Sequence, residues 1–227
     1  MKATKIIFIL MMWAGITSSV AQDGRIEPPR LAVKWSPLYL AHFYPSVQFS
    51  LEHRVTRNIT LQYDFGGVVD FGATINDDFV DRRGFRAIGE IRYYLPSPAK
   101  IPLYIAGEYF HSEIRFNRSN VVGYDCTWGD CLYYEYITHK VEHRNQGVGL
   151  KYGIILFPAW NRNRKFFFDV NAGAAFRYIQ YDYTSMPVGE DVMLFKDRDD
   201  KNFFRPVEKN GWYPRPVMGL RVGYVIR

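Results

Sequence analysis

Apolar residues recur at every second position over most of this 227-residue chain, which is the period of a β-strand with two different faces. The clearest example lies between residues 147 and 181, where two alternating stretches flank a short polar turn. Val148 and Leu150 share one face of the first stretch, and Gly149 and Lys151 share the other. The second stretch repeats this arrangement, so the segment predicts a β-hairpin.

The face opposite the apolar one combines charge with glycine. In the second stretch it carries Asp169, Gly173 and Arg177. A soluble barrel would expose this face to water, where glycine weakens a strand. A membrane barrel turns it into a narrow lumen, where glycines leave room for long charged side chains, and presents the apolar face to lipid. The pattern therefore predicts a membrane barrel. The alternative, a soluble exported lipocalin-like barrel that binds an apolar ligand, requires the opposite orientation.

The same alternation predicts eight strands, at residues 31–40, 45–55, 58–69, 83–95, 101–116, 134–157, 166–183 and 215–227. Connections after the second, fourth and sixth strands are short, whereas those after the third, fifth and seventh are long. Outer-membrane barrels have an even number of strands, short periplasmic turns and long outer loops. The predicted fold class is thus all-β: an eight-stranded antiparallel transmembrane β-barrel with short periplasmic turns and longer extracellular loops. The very short link 41–44 is the exception to this rule.

The first 21 residues have the features of an export signal. Lys2 and Lys5 precede an apolar run at 6–16, and small residues at 19–21 form a cleavage site. The run is too short for a spanning helix. We therefore divide the chain into a signal peptide (1–21), a periplasmic lead (22–30) and an outer-membrane β-barrel (31–227).

Composition agrees with one aromatic-rich β domain. The chain contains 17 Tyr, 17 Phe and 18 Gly, and no stretch has a sustained apolar period of 3.6 residues. Loss of Lys2 and Lys5 with the signal lowers the formal net charge from +6 to +4. Because this modest excess is interspersed with acids, no nucleic-acid partner is expected.

Charged side chains fall on the predicted inward faces of most strands. They are Lys34, Arg54, Arg86, Arg92, Lys151, Arg177 and Arg221, with Glu52, Asp64, Glu90, Glu108 and Asp169. An eight-stranded barrel is just wide enough for side chains to fill. We therefore expect an interlocked ionic plug in the lumen, with a proton or ion pathway as the alternative.

Cys126 and Cys131 fall in the predicted loop after the fifth strand. In an oxidising compartment two cysteines this close in sequence pair, so a disulfide is predicted. A metal pair and a redox couple are the rival interpretations. His139 and His143 are available for a metal but lie well downstream, without a recognised spacing.

Aromatic residues surround this cysteine pair, among them Tyr124, Trp128 and Tyr133. One interpretation is a contact surface for a protein or a glycan, because exposed aromatic rings are typical of interfaces. The other is that the rings pack on each other in a hairpin that extends the fifth and sixth strands beyond the membrane, some of them joining an interfacial aromatic girdle.

Candidate catalytic residues lie near the outer strand ends. Some small barrels modify acyl chains of lipid A with a histidine, a serine and an acid, and this chain has His111, Ser112, Glu113 and His143. Adjacent residues on a strand point to opposite faces, so His111 and Ser112 cannot pair directly. We therefore expect a non-enzymatic barrel without metal or cofactor, and lipid A acyl chemistry is the alternative.

Segments near the start of the predicted barrel resemble a known family. Lys34-Trp35-Ser36-Pro37-Leu38, residues 45–54 and the strand from Asn58 are similar to the opening of a small outer-membrane barrel family of Bacteroidota known only as a domain of unknown function. The resemblance extends loosely to the closing strand, and it implies an eight-stranded barrel in the cell outer membrane but no activity. The final Arg227 departs from the pattern, since such barrels usually end on an aromatic residue.

The expected partners follow from that location. They are outer-membrane lipid and lipopolysaccharide around the barrel and an envelope protein at the extracellular loops. The sequence names no ligand.

Overall fold

The computed structural model describes residues 28–42, 44–70, 79–96, 101–127, 130–159, 161, 163–184, 192–195 and 210–226. Its strands are β1 (Leu31–Trp35), β2 (Ser46–Arg54), β3 (Ile59–Val68), β4 (Phe79–Tyr94), β5 (Leu103–Thr127), β6 (Asp130–Leu156), β7 (Phe166–Thr184), β8 (Val192–Phe195) and β9 (Gly211–Val225). A 3-10 helix spans Pro37–Ala41. The predicted signal peptide (1–21) and most of the predicted lead (22–30) lie outside the described residues.

Eight of these strands close into an antiparallel barrel. Each pairs with its neighbours in chain order, except that β7 pairs with β9, and β1 pairs with β9 to close the ring. Strand β8 stands outside the ring and pairs with residues 121–124 of β5. The structure thus confirms the predicted eight-stranded antiparallel barrel, including the first hairpin between β1 and β2. Within the described ranges no helix has the length and apolarity needed to cross a membrane.

Around the middle of the barrel wall the outward side chains are apolar, whereas charged side chains are buried in the interior. Leu150 is 69% exposed and Met218 is 80% exposed, whereas Lys151, Asp169 and Arg221 are buried. The lipocalin-like alternative required the aliphatic face inward, so this orientation contradicts it. We call the exposed belt the apolar band; it comprises Val33, Trp35, Phe49, Leu51, Tyr63, Phe65, Phe85, Ile91, Tyr93, Ile105, Tyr109, Val148, Leu150, Tyr152, Phe166, Val170, Phe176, Trp212, Met218 and Tyr224.

Strand β1 ends at Trp35, short of the predicted 31–40. Pro37 accounts for the difference, because proline cannot donate a ladder hydrogen bond and its fixed φ suits the first turn of a helix. The chain instead enters the 3-10 helix, where the backbone N–H of Tyr39 donates to the carbonyl of Ser36 at 3.3 Å. The Tyr39 ring then packs against Ile88 and its neighbours in the barrel interior. The link between β1 and β2 therefore folds inward.

Strands β5 and β6 form a much longer hairpin than predicted. The expected strands at 101–116 and 134–157 left a loop between them, whereas the ladder continues until Thr127 pairs with Asp130. Outward side chains such as Arg115 are polar in this region. In the sequence of a membrane barrel, loss of the apolar alternation indicates a loop, so the strands were predicted to end here. Inward side chains such as Phe116 and Val122 remain buried. The hairpin therefore continues as ordered sheet above the apolar band.

Other strand bounds also differ from the prediction. Strand β4 begins at Phe79, inside a predicted loop, and its pairing with β5 is irregular between Val80 and Arg83. Asp81 has a φ of 56° at this point, which is typical of a β-bulge that changes the direction of one strand. Strand β9 begins at Gly211, and the short β8 was not predicted at all.

The barrel interior is layered from the short-turn end to the long-loop end. The inward residues of β4 show the order, which runs Tyr94, Arg92, Glu90, Ile88 and Arg86. Three apolar layers alternate with two charged ones along the axis. The apolar layers contain Ala32, Tyr94, Tyr104, Ala106, Ile155 and Phe167; then Ile88, Phe110 and Ala175; and then Tyr44, Ile114, Phe116, Val141, Ile179 and Tyr181.

Inward glycines make room for large neighbours on adjacent strands. A Cβ atom at Gly153 would overlap the ring of Tyr104, and one at Gly223 would overlap the ring of Phe167. A Cβ at Gly149 would meet the carboxylate of Glu108 at 2.8 Å. The glycines thus accommodate aromatic rings as well as the long charged side chains predicted from the sequence.

We expect Gly153→Ala to lower the free energy of unfolding by about 1–3 kcal/mol, because the new methyl group displaces Tyr104 from a packed interior. The matched control is Gly89→Ala, since a Cβ at this position of the same sheet meets nothing within 4 Å. Urea unfolding in lipid vesicles, followed by tryptophan fluorescence, measures both variants. Equal unfolding midpoints for the two would contradict the proposed steric role of Gly153.

Candidate functional site

Nine buried charged side chains form a continuous network between the first and second apolar layers. All eight strands of the ring contribute at least one of them. They are Lys34, Glu52, Asp64, Glu90, Arg92, Glu108, Lys151, Asp169 and Arg221. We call this set the ion network. Its members share one side of their strands because alternate residues of a strand point the same way.

Glu90 is one centre of the ion network. Its Oε1 atom lies 2.5 Å from Lys151 Nζ and 2.5 Å from Arg221 Nη2, and its Oε2 atom lies 2.7 Å from Arg92 Nη2. Three cations therefore surround one carboxylate. Lys151 also binds Glu108 at 2.5 Å, which connects β5 to the same centre.

Asp169 is the second centre. Its Oδ2 atom lies 2.6 Å from Lys34 Nζ and 2.7 Å from Arg92 Nη1. The hydroxyl of Tyr104 donates to the other oxygen of Asp169 at 2.5 Å, and the guanidinium of Arg92 lies over the Tyr104 ring at 4.4 Å. Arg92 thus joins the two centres, because it binds Glu90 and Asp169 at once.

Neutral side chains complete the hydrogen bonding of the remaining acids. Glu52 accepts from Thr60 at 2.5 Å and from Tyr94 at 2.8 Å, besides its ion pair with Lys34 at 2.5 Å. Asp64 binds Arg221 at 2.7 Å and accepts from the Gln62 amide at 2.6 Å. The sequence prediction omitted these neutral partners, although their inward strand positions are a signal that could have identified them.

Three cations predicted for the lumen lie outside the ion network. Arg86 is buried beyond Ile88 and donates to the carbonyl oxygen of Tyr44 at 3.1 Å. Arg177 is half-buried at the same end, and Arg54 is half-buried at the short-turn end of β2. The second apolar layer separates Arg86 and Arg177 from most of the acids.

Arg215 is an interior residue that the sequence prediction missed. Its Nη2 atom lies 3.4 Å from His42 Nε2, and Arg86 Nη2 lies 3.1 Å from His42 Nδ1. The predicted strand 215–227 places Arg215 on the same face as Arg221, so alternation was a signal that could have identified it. The earlier start of β9 at Gly211 puts it well inside the barrel wall.

Cys126 and Cys131 lie directly opposite each other near the tip of the β5–β6 hairpin. Directly opposed residues of an antiparallel pair have Cα atoms about 4.5–5.5 Å apart, which is within the range that a disulfide spans. The predicted disulfide remains a prediction, and this register is compatible with it. The cysteines stand in a strand ladder and not in the predicted loop.

The predicted aromatic contact residues also belong to this hairpin. Tyr124 and Tyr133 stack across the strands with ring centroids 4.8 Å apart, while Trp128 lies outside the described residues. Their stacking matches the interpretation in which aromatic rings pack on each other in an extended hairpin. Tyr134 and Tyr136 on β6 are more exposed.

The candidate catalytic residues do not form a catalytic triad. Ser112 faces the interior and its hydroxyl donates to the backbone carbonyl of Asn145 at 3.4 Å, whereas His111 faces outward beside Phe85. His143 faces inward between Tyr44 and Tyr181, and neither of its ring nitrogens has a hydrogen-bond partner in this structure. A catalytic serine and the histidine that activates it share a hydrogen bond. Ser112 forms no such bond with His111 or His143 in this structure.

We expect Glu90→Gln to lower the free energy of unfolding by about 3–5 kcal/mol, because it leaves Arg92, Lys151 and Arg221 buried with one carboxylate fewer. The control is Glu142→Gln, which removes surface pairs with Arg115 and Arg144 that solvent screens. Urea unfolding in lipid vesicles measures both. An equally small effect of the two substitutions would contradict a stabilising role for the ion network.

Comparisons with known proteins identify a family but no relative of known function. No curated protein matches the chain. Among solved structures, the crystal structure of the N-terminal β-barrel domain of Pseudomonas aeruginosa OprF is similar at 15% identity and a TM-score of 0.34, covering 88% of this chain and 98% of that one. A likeness this distant supports no functional inference. Residues 6–210 match the model of the family described as "Protein of unknown function (DUF3575)", and the chain therefore belongs to that family.

Proposed function

We propose that this protein is an integral outer-membrane β-barrel with a structural or interaction role and no enzymatic activity. This proposal rests on the inverted burial, in which the apolar band is exposed around the barrel while charged side chains are buried inside it. Water would leave the apolar band unfavourably solvated, whereas a bilayer solvates it and requires each backbone group to be paired within a closed barrel. We also propose that residues 1–21 are an export signal and that the protein is located in the outer membrane of Bacteroidota.

The ion network supports a closed lumen. Lys34, Arg92 and Glu90 are almost fully buried, and each binds at least two oppositely charged groups. Ions that cross such a section would have to break several paired charges at once, and removing one partner of a buried pair is strongly unfavourable. The ion network therefore acts as a fixed plug that joins all eight strands.

In this proposal the β5–β6 hairpin is the part of the protein that binds a partner. It rises above the apolar band, and its outer face carries Glu113, Arg115, Glu142 and Arg144, which suit water and not hydrocarbon. Leu132 and Tyr136 near its tip are about four-fifths exposed, and exposed aromatic groups of this kind are enriched in protein interfaces. An envelope protein is the proposed partner, and the disulfide between Cys126 and Cys131 would fix the tip.

We expect Met218→Arg to lower the free energy of unfolding by about 2–4 kcal/mol in lipid vesicles, the cost of a cation near the middle of a bilayer. The control is Leu132→Arg at the hairpin tip, because Met218 and Leu132 are almost equally exposed, at 80% and 79%. Water would tolerate both substitutions alike. A neutral effect of Met218→Arg in vesicles, or release of the wild-type protein from cell envelopes without detergent, would contradict the membrane proposal.

The purified wild-type barrel is expected to carry no steady ion current in planar bilayers, because paired charges fill its section. A porin inserted into the same bilayer verifies that the assay detects open channels. A reproducible unitary current from the wild-type protein would contradict the plug while leaving the membrane location intact.

A further inference from the structure

A cavity of about 100 Å³ lies in the barrel interior, on the side of the ion network that faces the long-loop end. Its lining includes Arg86, Arg215, His42, Asn145, Asn171 and Ser112, with Glu108 and Lys151 at the side of the ion network. A space of this size has room for several water molecules. It is also large enough for one small polyatomic ion.

The cavity has an excess of positive charge. Among the described lining residues Glu108 supplies a carboxylate, and Lys151 holds it in an ion pair at 2.5 Å. Arg86 and Arg215 form no ion pair with any described carboxylate, and the same holds for Arg177 nearby. Arg86 and Arg215 instead contact the two ring nitrogens of His42, and Arg86 also donates to the carbonyl oxygen of Tyr44. Two guanidinium groups therefore face one space without a counter-ion from the described chain.

His42 contacts both arginines of this cavity. It lies in the link between β1 and β2, and burial, followed by the charges of Arg86, Arg215 and Arg177, lowers its pKa to about 2. Its imidazole is therefore neutral near pH 7. A neutral imidazole accepts a hydrogen bond at one nitrogen only, although an arginine faces each nitrogen. At least one arginine N–H group is thus left to bind something else.

Other polar atoms of the lining also lack partners. They are Arg86 Nε, Asn145 Oδ1, and both the Nδ2 and Oδ1 atoms of Asn171, and all three residues are less than 9% exposed. Buried polar groups are nearly always hydrogen-bonded in folded proteins, because an unpaired group carries its full desolvation cost. Two of these four atoms are donors and two are amide oxygens. The arginine N–H group that His42 leaves without an acceptor adds a further, charged donor, and such donors match a ligand rich in acceptor oxygens.

We propose that this cavity binds a small free oxyanion, of the size and charge of inorganic phosphate or sulfate, beside His42, where Arg86 and Arg215 both line the space. Arginine suits this role because its planar fork forms two parallel, charge-assisted hydrogen bonds to an oxyanion. Asn171 adds a neutral donor from the facing wall. The site adjoins the ion network, whose members Glu108, Lys151 and Arg221 line one side of the cavity and are already paired with opposite charges.

Calorimetric titration of sodium phosphate into the full-length mature barrel tests this proposal. The protein is held in octyl glucoside micelles and Tris chloride at constant ionic strength, so that detergent and buffer contain no oxyanion. Saturable binding is expected for the wild type. Arg215→Gln should weaken it about tenfold or more, the effect of losing one charge-assisted hydrogen bond, and Arg215→Lys should weaken it less because it retains the charge.

The control is Arg115→Gln, since that side chain is 68% exposed on the outer face of the hairpin and should bind phosphate like the wild type. Arg215 is only half-buried, so its variants are expected to fold; a melting profile measured without phosphate checks this. Phosphatidylglycerol in the same micelles distinguishes a lipid headgroup from the free ion. A response to the lipid alone, no more heat from phosphate than from chloride, or unchanged binding by Arg215→Gln would overturn the proposal.

Discussion

Glu90 and Asp169 are buried and each binds several cations, and the rest of the barrel interior packs around this arrangement. A charge removed from water is stable only when partners replace its hydration. Here the partners come from across the barrel: Arg92 joins the two acids, Lys34 and Arg221 reach them from β1 and β9, and every strand of the ring supplies a member. The ion network therefore depends on closure of the ring and also favours it.

The packing around the ion network follows from the size of its members. Long cationic side chains need support along their stems, and rings provide it: Arg92 lies over Tyr104, and Lys34 lies 5.4 Å from the centre of the Phe167 ring. Those rings in turn need space on the neighbouring strands, where Gly153 and Gly223 have no side chain to obstruct them. Gly153 and Gly223 are thus a consequence of aromatic packing beside the charges.

The outer half of the interior differs from the inner half in its balance of charge. Acids accompany the cations on the inner side of Ile88, Phe110 and Ala175, whereas arginines face a cavity with neutral His42 on the outer side. The 3-10 helix helps to separate the two regions, because Tyr39 packs on that apolar layer and Arg86 lies over its ring at 5.4 Å. One barrel interior therefore holds a region of paired charges and a region in which arginines face a cavity.

The sequence by itself determined the strand count of the barrel, the facing of its walls and the charged character of its interior. Alternation between Leu150 and Lys151, or Val170 and Asp169, is a local property, and a strand converts it directly into outward and inward faces. Tertiary structure decided which charges meet, since Glu90 and Arg221 are brought together only by the stagger of closed strands. It also decided the inward fold of the link at Pro37 and the length of the β5–β6 hairpin, because each depends on contacts between residues distant in the chain.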